Sequence, residues 1–390
     1  MAIYLDYAAS APIRGEILEN YVEQLRKVGN PSSVHGSGQS QRQIVEEARE
    51  KLAKIINCHR SEVLFTSGGT ESDNLAIKGL FLAAKAKDPK RNICIFSNAE
   101  HHAGIDPFEF LAATESAELV IWPIDSNGSP DLEWLSDFLE QNSERVALVS
   151  AMWANNETGV IWPIREITKL AEKHKIPVHS DAVAAFGHTP LDFAESHLST
   201  MSISGHKIGA PVGIGAIIVG RSANLSVISH GGGQERGIRS GTLSAPLAVA
   251  FADAAGLAVS ELDSELPRLQ KLQDKLVSGI KVIAPNSVFS RGTAPGLPGI
   301  TNFTFPGCRG DSLLFLLDKA GISVSTGSAC RAGIAQPSHV LIAMGRTEAE
   351  AYGALRISIG LETTETEVDA FLAALPEAYA GAVKAGLPTN

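Results

Sequence analysis

One short stretch of the sequence indicates the fold: Val63-Leu64-Phe65-Thr66-Ser67-Gly68-Gly69-Thr70-Glu71-Ser72. It begins as an apolar run of strand length, turns at the two glycines and continues into a helical pattern. The same alternation extends from about residue 40 to 260, with predicted helices at 39–56, 71–86, 131–140 and 164–174 and predicted strands at 62–65, 92–96, 119–122, 146–150 and 178–180. Alternating strands and helices predict an α/β fold with a mostly parallel sheet.

The pattern changes near residue 246. A helical stretch over residues 246–279 predicts one connecting helix, and it is followed by predicted strands at 282–284, 301–305 and 322–325 and predicted helices at 312–319 and 365–380. This mixture is typical of a smaller α+β domain. We therefore predict a large domain over residues 16–260 and a small domain formed by residues 1–15 and 261–390.

The overall charge argues against two classes of partner. Lys and Arg number 33 against 43 Asp and Glu, a net charge of −10, which disfavours direct binding to nucleic acid or to an anionic membrane. No secretory signal is recognisable, and no apolar stretch reaches the length of a membrane span. We therefore expect a cytoplasmic protein.

The four cysteines lie far apart and form no Cys-x-x-Cys pair, so neither a structural zinc site nor a disulfide scaffold is expected, and no metal is predicted. Cys58 and Cys94 resemble structural residues of a helix end and a buried strand. Cys308 and Cys330 each lie in a glycine-containing loop beside an arginine that favours the thiolate, so either could be a nucleophile.

Lys207 is the first candidate for chemistry. It lies in Ser202-Ile203-Ser204-Gly205-His206-Lys207-Ile208-Gly209, a glycine-rich loop, although by itself it could equally be a surface lysine. Asp181 ends an apolar run 26 residues earlier, where ligands of parallel sheets bind, although it could instead be a helix N-cap. A carboxylate that pairs with a heterocycle nitrogen and a lysine at the other end of the ring are what pyridoxal 5′-phosphate requires.

The glycine turn supplies a third part of this pattern. Its backbone N–H groups and hydroxyls would lie at a helix N-terminus, which favours anions. The stretch matches neither the Walker loop nor the dinucleotide fingerprint, and alone Gly68-Gly69 signals only a turn. Together with Asp181 and Lys207 it predicts a cradle for the cofactor phosphate.

Motifs in the same order over nearly the whole chain resemble the cysteine desulfurases of the class V aminotransferase superfamily. They are Tyr4-Leu5-Asp6-Tyr7-Ala8-Ala9, Gly29-Asn30-Pro31-Ser32-Ser33, Thr66-Ser67-Gly68-Gly69-Thr70-Glu71-Ser72-Asp73-Asn74, Glu100-His101, Asn155-Asn156-Glu157-Thr158-Gly159, Ser204-Gly205-His206-Lys207, Gly231-Gly232-Gly233-Gln234-Glu235-Arg236-Gly237-Ile238-Arg239-Ser240-Gly241-Thr242 and Gly327-Ser328-Ala329-Cys330. The resemblance implies the fold type I architecture of pyridoxal-phosphate-dependent transferases, with a mostly parallel sheet of the seven-stranded type, and a homodimer.

Carried over position by position, the resemblance gives Lys207 the covalent attachment of the cofactor, Asp181 the contact with its ring nitrogen, and His101 stacking on the ring and proton transfer. The phosphate would be held by Gly69 and Thr70 of the glycine turn and by Ser204 and His206 of the lysine loop. Thr242 would reach it from the partner subunit. Asn156 and Arg356 would bind the substrate carboxylate, and Asn156 would also contact the cofactor. Ala184 departs from the family, which usually has a glutamine there.

The resemblance also selects Cys330 as the nucleophile, and the segment from Gly327 to Pro337 is similar to the branch with a long mobile loop. The implied reaction removes sulfur from L-cysteine, releases L-alanine and leaves a persulfide on Cys330 for an acceptor protein, such as an iron–sulfur cluster scaffold. Rival functions are a selenocysteine lyase or an aminotransferase of the same fold, or a sulfur-relay protein without turnover.

Overall fold

The computed structural model of the chain describes residues 2–327 and 336–386. Its strands are β1 (Ile3–Tyr4), β2 (Val63–Thr66), β3 (Ile93–Phe96), β4 (Glu118–Ile121), β5 (Val146–Ser150), β6 (Val178–Asp181), β7 (Thr200–Ser204), β8 (Gly215–Val219), β9 (Val288–Phe289), β10 (Ile300–Thr304), β11 (Ile322–Ser323) and β12 (Ala354–Ser358). Its α-helices are α1 (Gly15–Leu25), α2 (Gly36–Ile56), α3 (Gly69–Lys87), α4 (His102–Glu115), α5 (Leu132–Asn142), α6 (Ile164–Glu172), α7 (Phe193–Ser196), α8 (Ala245–Ser260), α9 (Leu262–Ile283), α10 (Gly310–Lys319), α11 (His339–Ala343), α12 (Glu348–Tyr352) and α13 (Glu365–Gly386).

A seven-stranded sheet has the order β2-β8-β7-β6-β5-β3-β4. Strands β7, β6, β5, β3 and β4 pair in parallel, while β8 runs antiparallel to both β7 and β2. The predicted α/β fold with a mostly parallel sheet is therefore confirmed. Because β2 and β7 are both antiparallel to β8, they point the same way, and the carboxyl ends of β2, β3, β5, β6 and β7 meet at one edge.

Two helices begin directly at this edge. α3 follows Gly68, whose φ of 154° lies in the region that favours glycine, and the Glu71 carboxylate in its first turn accepts a hydrogen bond from the Ser67 N–H at 2.6 Å. α4 follows His101, whose Nδ1 accepts from the Ala103 N–H at 3.0 Å. Their free N-terminal N–H groups thus face the same end of the sheet.

The C-terminal part of the chain forms a second sheet and a second core. β10 pairs antiparallel with both β12 and β9, and β1 pairs in parallel with β11. The core beside them includes Leu5, Phe303 and Phe371, so the N-terminal residues pack here. The core of the large sheet also takes in Leu297 and Val340, so the two cores do not divide the chain cleanly, and the domain boundaries stay a prediction.

Two sequence-based expectations about the connecting region are wrong. The single helix predicted over 246–279 is two helices, α8 and α9, bent by 69° at Glu261. The strand predicted at 282–284 is the end of α9 and the residue after it, because the packing of Leu272, Leu276 and Ile280 on one helical face outweighs local β propensity. Within the described residues no single helix is long and apolar enough to cross a membrane, and only α8 and α9 taken together meet that measure.

Candidate active site

The shared edge of the sheet opens into a cavity of about 410 Å³. Most residues singled out from the sequence line it, although they come from separate parts of the chain: Gly69, Thr70, His101, Asn156, Asp181, His206, Lys207 and Arg356. Ala184 also lines the cavity. The structure thus brings together an amine, carboxylates, imidazoles and a guanidinium in one concave site.

Lys207 ends the 3-10 turn Gly205–Lys207, which directly follows β7. Its Nζ donates to the carbonyl oxygens of Ala8 and Ala9, the latter at 3.0 Å. Burial, reinforced by the Arg356 charge, lowers the pKa of Lys207 to about 8, while nearby carboxylates act in the opposite direction. A lysine with this pKa is far more often the neutral, nucleophilic amine near neutral pH than an exposed lysine is.

Asp181 lies at the carboxyl end of β6, and its Oδ1 accepts from the Val183 N–H at 2.8 Å. Burial raises the pKa of Asp181, and the neighbouring charge of Asp73 raises it further. Within the described residues no basic side chain forms an ion pair with Asp181. A protonated ring nitrogen placed against this carboxyl would supply the missing positive charge and favour the carboxylate.

The phosphate end of the cavity is built around the start of α3. The Gly69 and Thr70 N–H groups have no hydrogen-bond partner in the described part of the chain, as expected in the first turn of a helix. The buried Ser204 Oγ likewise has none there, and a Cβ placed on Gly68 would lie 3.8 Å from it. Burial, followed by the Lys207 charge, lowers the pKa of His206 to about 4, so its neutral ring can still donate one hydrogen bond. These donors fit a phosphate group.

His101 directly precedes α4 and lines the cavity. Because the Ala103 N–H donates to Nδ1, the neutral ring carries its proton on Nε2. Burial lowers the pKa of His101, and the charge of Lys207 adds to this effect while Asp73 opposes it. The ring is therefore a neutral planar group at neutral pH, suited to stacking and to proton transfer.

Arg356 lies in β12 of the second sheet and lines the cavity. Its Nη1 donates to the Asn156 carbonyl oxygen at 2.8 Å and its Nη2 to Asp6 Oδ1 at 2.8 Å. The residue is 4% exposed, and its Nε has no partner among the described residues. A buried guanidinium with donors left over suits a small carboxylate ligand.

Two further site residues of the described part of the chain, Ser204 and Thr242, do not line this cavity. Thr242 lies in a separate cavity of about 220 Å³ with Ser67 and Arg239, so its contact with the phosphate of a partner subunit stays a prediction. Cys330 lies outside the described residues. Cys308, the other nucleophile candidate, packs in the C-terminal core with 6% of its surface exposed, and burial raises its pKa to about 12, which argues against a thiolate there.

Three acidic residues at or beside the site were not recognised from the sequence: Asp73, which lines the cavity, Asp6, which pairs with Arg356, and Glu100, which precedes His101. Asp73 is fully buried and its Oδ1 lies 3.1 Å from His179 Nε2. Glu100 is buried and accepts from Ser150 Oγ at 2.8 Å; burial raises its pKa to about 8. All three stood in the motifs, but nothing in the local sequence indicated their tertiary contacts.

The chain is similar to known proteins over nearly its whole length. The family model described as Aminotransferase class-V matches residues 3–371. An IscS-like cysteine desulfurase from Mycobacterium tuberculosis is 46% identical over 98% of both chains, and the cysteine desulfurase IscS from Dictyoglomus turgidum is 39% identical over 94% of this chain and 92% of its own. A solved structure of a NifS-like protein superposes with a TM-score of 0.89 at 35% identity, covering 97% of this chain and all of the other. The chain therefore belongs to the class-V aminotransferase family and, within it, to the cysteine desulfurases of the IscS and NifS type.

Proposed function

We propose that the protein is a pyridoxal-phosphate-dependent cysteine desulfurase that takes sulfur from L-cysteine, releases L-alanine and holds the sulfur as a persulfide on Cys330. The observation that carries this proposal is the convergence of Lys207, Asp181 and Arg356 on one cavity. In this proposal the amine and the carboxyl serve two parts of the cofactor, and the guanidinium binds the carboxylate of the amino acid substrate.

The described residues suit the phosphate and the ring nitrogen of the cofactor, while Ala184 offers no donor to the ring oxygen. The phosphate would be held by the N–H groups of Gly69 and Thr70 with Ser204 and His206, and its ring nitrogen by Asp181. His101 would stack on the ring, and Asn156 would contact both cofactor and substrate. When bound, pyridoxal phosphate supplies the carbonyl group that takes up the substrate amine and the ring that withdraws electrons from the α-carbon.

Side chains of the protein would bind the substrate, transfer protons and accept the sulfur. Arg356 binds the carboxylate of L-cysteine and fixes its orientation. The Lys207 amine takes a proton from the α-carbon and returns protons to the product, a task in which the neutral His101 ring assists. The Cys330 thiolate attacks the substrate sulfur, so that an S–S bond forms as the carbon–sulfur bond breaks, and protonation of the carbon fragment completes L-alanine. No external oxidant is required.

The position of Cys330 along the chain supports its role. Ser325 and Gly327 line the cavity, and Cys330 follows Gly327 by three residues. A nucleophile encoded this close to the cavity wall is what the proposed attack on the substrate sulfur requires.

The wider assembly is also part of this proposal. We infer a homodimer, because Thr242 lies away from the cavity of its own subunit and would serve the phosphate of the other. The sulfur acceptor would be a protein, such as an iron–sulfur scaffold, since the net charge of −10 disfavours direct transfer to RNA. The cytoplasmic location stays a prediction.

The test measures sulfide and alanine after the purified holoenzyme is incubated with L-cysteine and a reductant. Cys330→Ala and Lys207→Ala should both abolish sulfide release, whereas Cys308→Ala, a matched cysteine buried outside the cavity, should retain it. Sulfide release by Cys330→Ala at the wild-type rate would refute the persulfide assignment. Transamination without alanine formation would favour the aminotransferase, and no turnover at all would favour the relay protein.

A further inference from the structure

The N-terminal segment of residues 5–9 forms one wall of the cavity. Ala8 and Ala9 line it, and their carbonyl oxygens hold the Lys207 amine. The segment is fastened to β12, since the Ala8 N–H donates to Ser358 Oγ at 2.9 Å and the Ser358 N–H donates to the Leu5 carbonyl oxygen at 2.8 Å. Because β12 also carries Arg356, the segment links the two positively charged side chains of the site.

Asp6 is the only carboxylate among the described residues that forms an ion pair with Arg356, at 2.8 Å between Oδ1 and Nη2. The side chain of Asp6 is 20% exposed and that of Arg356 5% exposed, so water screens the pair only in part. The Asp6 backbone is fixed as well, because its carbonyl oxygen accepts from the Ala9 N–H at 3.0 Å. The carboxylate is thus held in one position against the guanidinium.

The contact with Asp6 fixes the orientation of the Arg356 guanidinium. Nη1 donates to the Asn156 carbonyl oxygen and Nη2 to Asp6, which fixes the plane of the guanidinium at two points. Of its five N–H groups, the one on Nε has no partner in the described part of the chain. The guanidinium is therefore pre-oriented while it keeps donors for a ligand.

Asp6 also acts on Lys207 through charge. The Arg356 charge lowers the pKa of Lys207, while the carboxylate of Asp6 raises it. Asp6 therefore compensates part of the positive charge that Arg356 brings beside the amine. Other titratable groups face Lys207 from neighbouring elements, and they are Asp181, His101, His188 and His206.

We propose that Asp6 is a positioning residue that orients the Arg356 guanidinium for the carboxylate of L-cysteine and balances part of its charge beside Lys207. This inference rests on the proposed function, because it takes Arg356 as the site of the substrate carboxylate. Orientation and charge can be separated by substitution. Asp6→Asn keeps an acceptor oxygen and removes the charge, whereas Asp6→Ala removes both.

The two variants should differ in substrate affinity. Loss of one charge-assisted hydrogen bond that orients a binding group corresponds to roughly a tenfold effect. We expect Asp6→Ala to raise KM for L-cysteine by about tenfold with little change in kcat, and Asp6→Asn to raise it by less than about threefold. The spectroscopic dissociation constant of L-alanine, the product amino acid, should follow the same order.

The charge effect should be equal in both variants. Removing a negative charge beside the Lys207 nitrogen disfavours its protonated form, so the pH midpoint of the cofactor absorbance change in the holoenzyme should fall in Asp6→Asn and in Asp6→Ala. Glu16→Gln removes one negative charge from an exposed position near the N-terminus and serves as the control that should leave the midpoint unchanged.

The outcomes distinguish the inference from the proposed function. Wild-type KM and absorbance midpoint in both Asp6 variants would overturn the role of Asp6. An unchanged KM in Arg356→Gln would instead overturn the assignment of the substrate carboxylate to Arg356. Should Asp6→Ala not fold, the near-isosteric Asp6→Asn still decides the matter, because a midpoint equal to the wild-type value contradicts the inference.

Discussion

A single methyl group at Gly69 tests how the phosphate end of the cavity is coupled to Asp181. A Cβ on Gly69 would lie 2.6 Å from Val183 Cγ2, with the next nearest atoms at 3.7 Å. Since carbon atoms pack at about 3.5–4.0 Å, Gly69→Ala must displace Val183 by about 1 Å. The Val183 N–H holds the Asp181 carboxylate, so this shift is transmitted to the group that would bind the ring nitrogen.

The magnitude follows from the cost of overpacking, which is about 1–3 kcal/mol for an inserted methyl group. We expect the free energy of unfolding of the Gly69→Ala holoenzyme to fall by this amount, as measured by urea denaturation. If about half of the strain falls on the bound state, that is about 0.5–1.5 kcal/mol, the dissociation constant of pyridoxal phosphate should rise by about two- to tenfold, because each 1.4 kcal/mol is a factor of ten. A titration followed by cofactor absorbance measures it.

Two variants control this experiment. Gly36 is also the first residue of an α-helix, but a Cβ there would meet no atom within 4 Å, so Gly36→Ala should be neutral or stabilising by up to about 1 kcal/mol. Val183→Ala removes the clashing Cγ2, so it should relieve most of the damage in the double variant. Purely additive effects of Gly69→Ala and Val183→Ala, or a Gly69→Ala protein as stable as Gly36→Ala, would refute the reasoning.

Three further predictions use other parts of the site. Burial raises the pKa of Glu100 to about 8 from an ordinary value of 4.5, so between these two pH values the folded protein keeps a proton that the unfolded chain releases. The free energy of unfolding should therefore fall as the pH rises from 4.5 to 8. Glu100→Gln should make this pH dependence weaker in urea unfolding of the cofactor-free protein. Lys207→Ala should lose activity by about 1,000-fold and should show no cofactor fixed to the chain by mass spectrometry after borohydride reduction. Ala184→Gln restores the donor expected from the family, so it should lower the pH midpoint of the cofactor absorbance change, because a donor stabilises the deprotonated oxygen of the ring.

Much of the large sheet was predictable because its strands are buried on both faces. Such strands read as short apolar runs, and β5 begins and ends at the residues predicted for it. The cofactor residues were predictable for a related reason. Asp181 ends β6 and Lys207 follows the end of β7 by three residues. Because parallel strands bring their carboxyl ends to one edge, the topology places both residues in one cavity.

The bend between α8 and α9 lacked any such local signal. Neither Gly nor Pro stands at the break, where Glu261 follows Ser260 directly. Glu261 instead pairs with Arg14 at 2.8 Å, a contact across 247 residues of sequence. Apolar periodicity continues on both sides of the break, so the sequence pattern predicts one helix. The structure has two helices, with the Arg14–Glu261 contact at the bend between them.

The substrate side of the site depends on the same kind of distant contact. Asp6 and Arg356 lie 350 residues apart, and neither stands at the end of a large-sheet strand. From the sequence alone, Asp6, the sixth residue of the chain, and Arg356, an arginine inside a strand, are both expected to face solvent. Local βα units therefore place the groups that would hold the cofactor, whereas the guanidinium that would select an amino acid carboxylate is oriented only when the N-terminal segment has packed beside β12. Variants that loosen the N-terminal segment should for this reason impair recognition of L-cysteine before they impair retention of the cofactor.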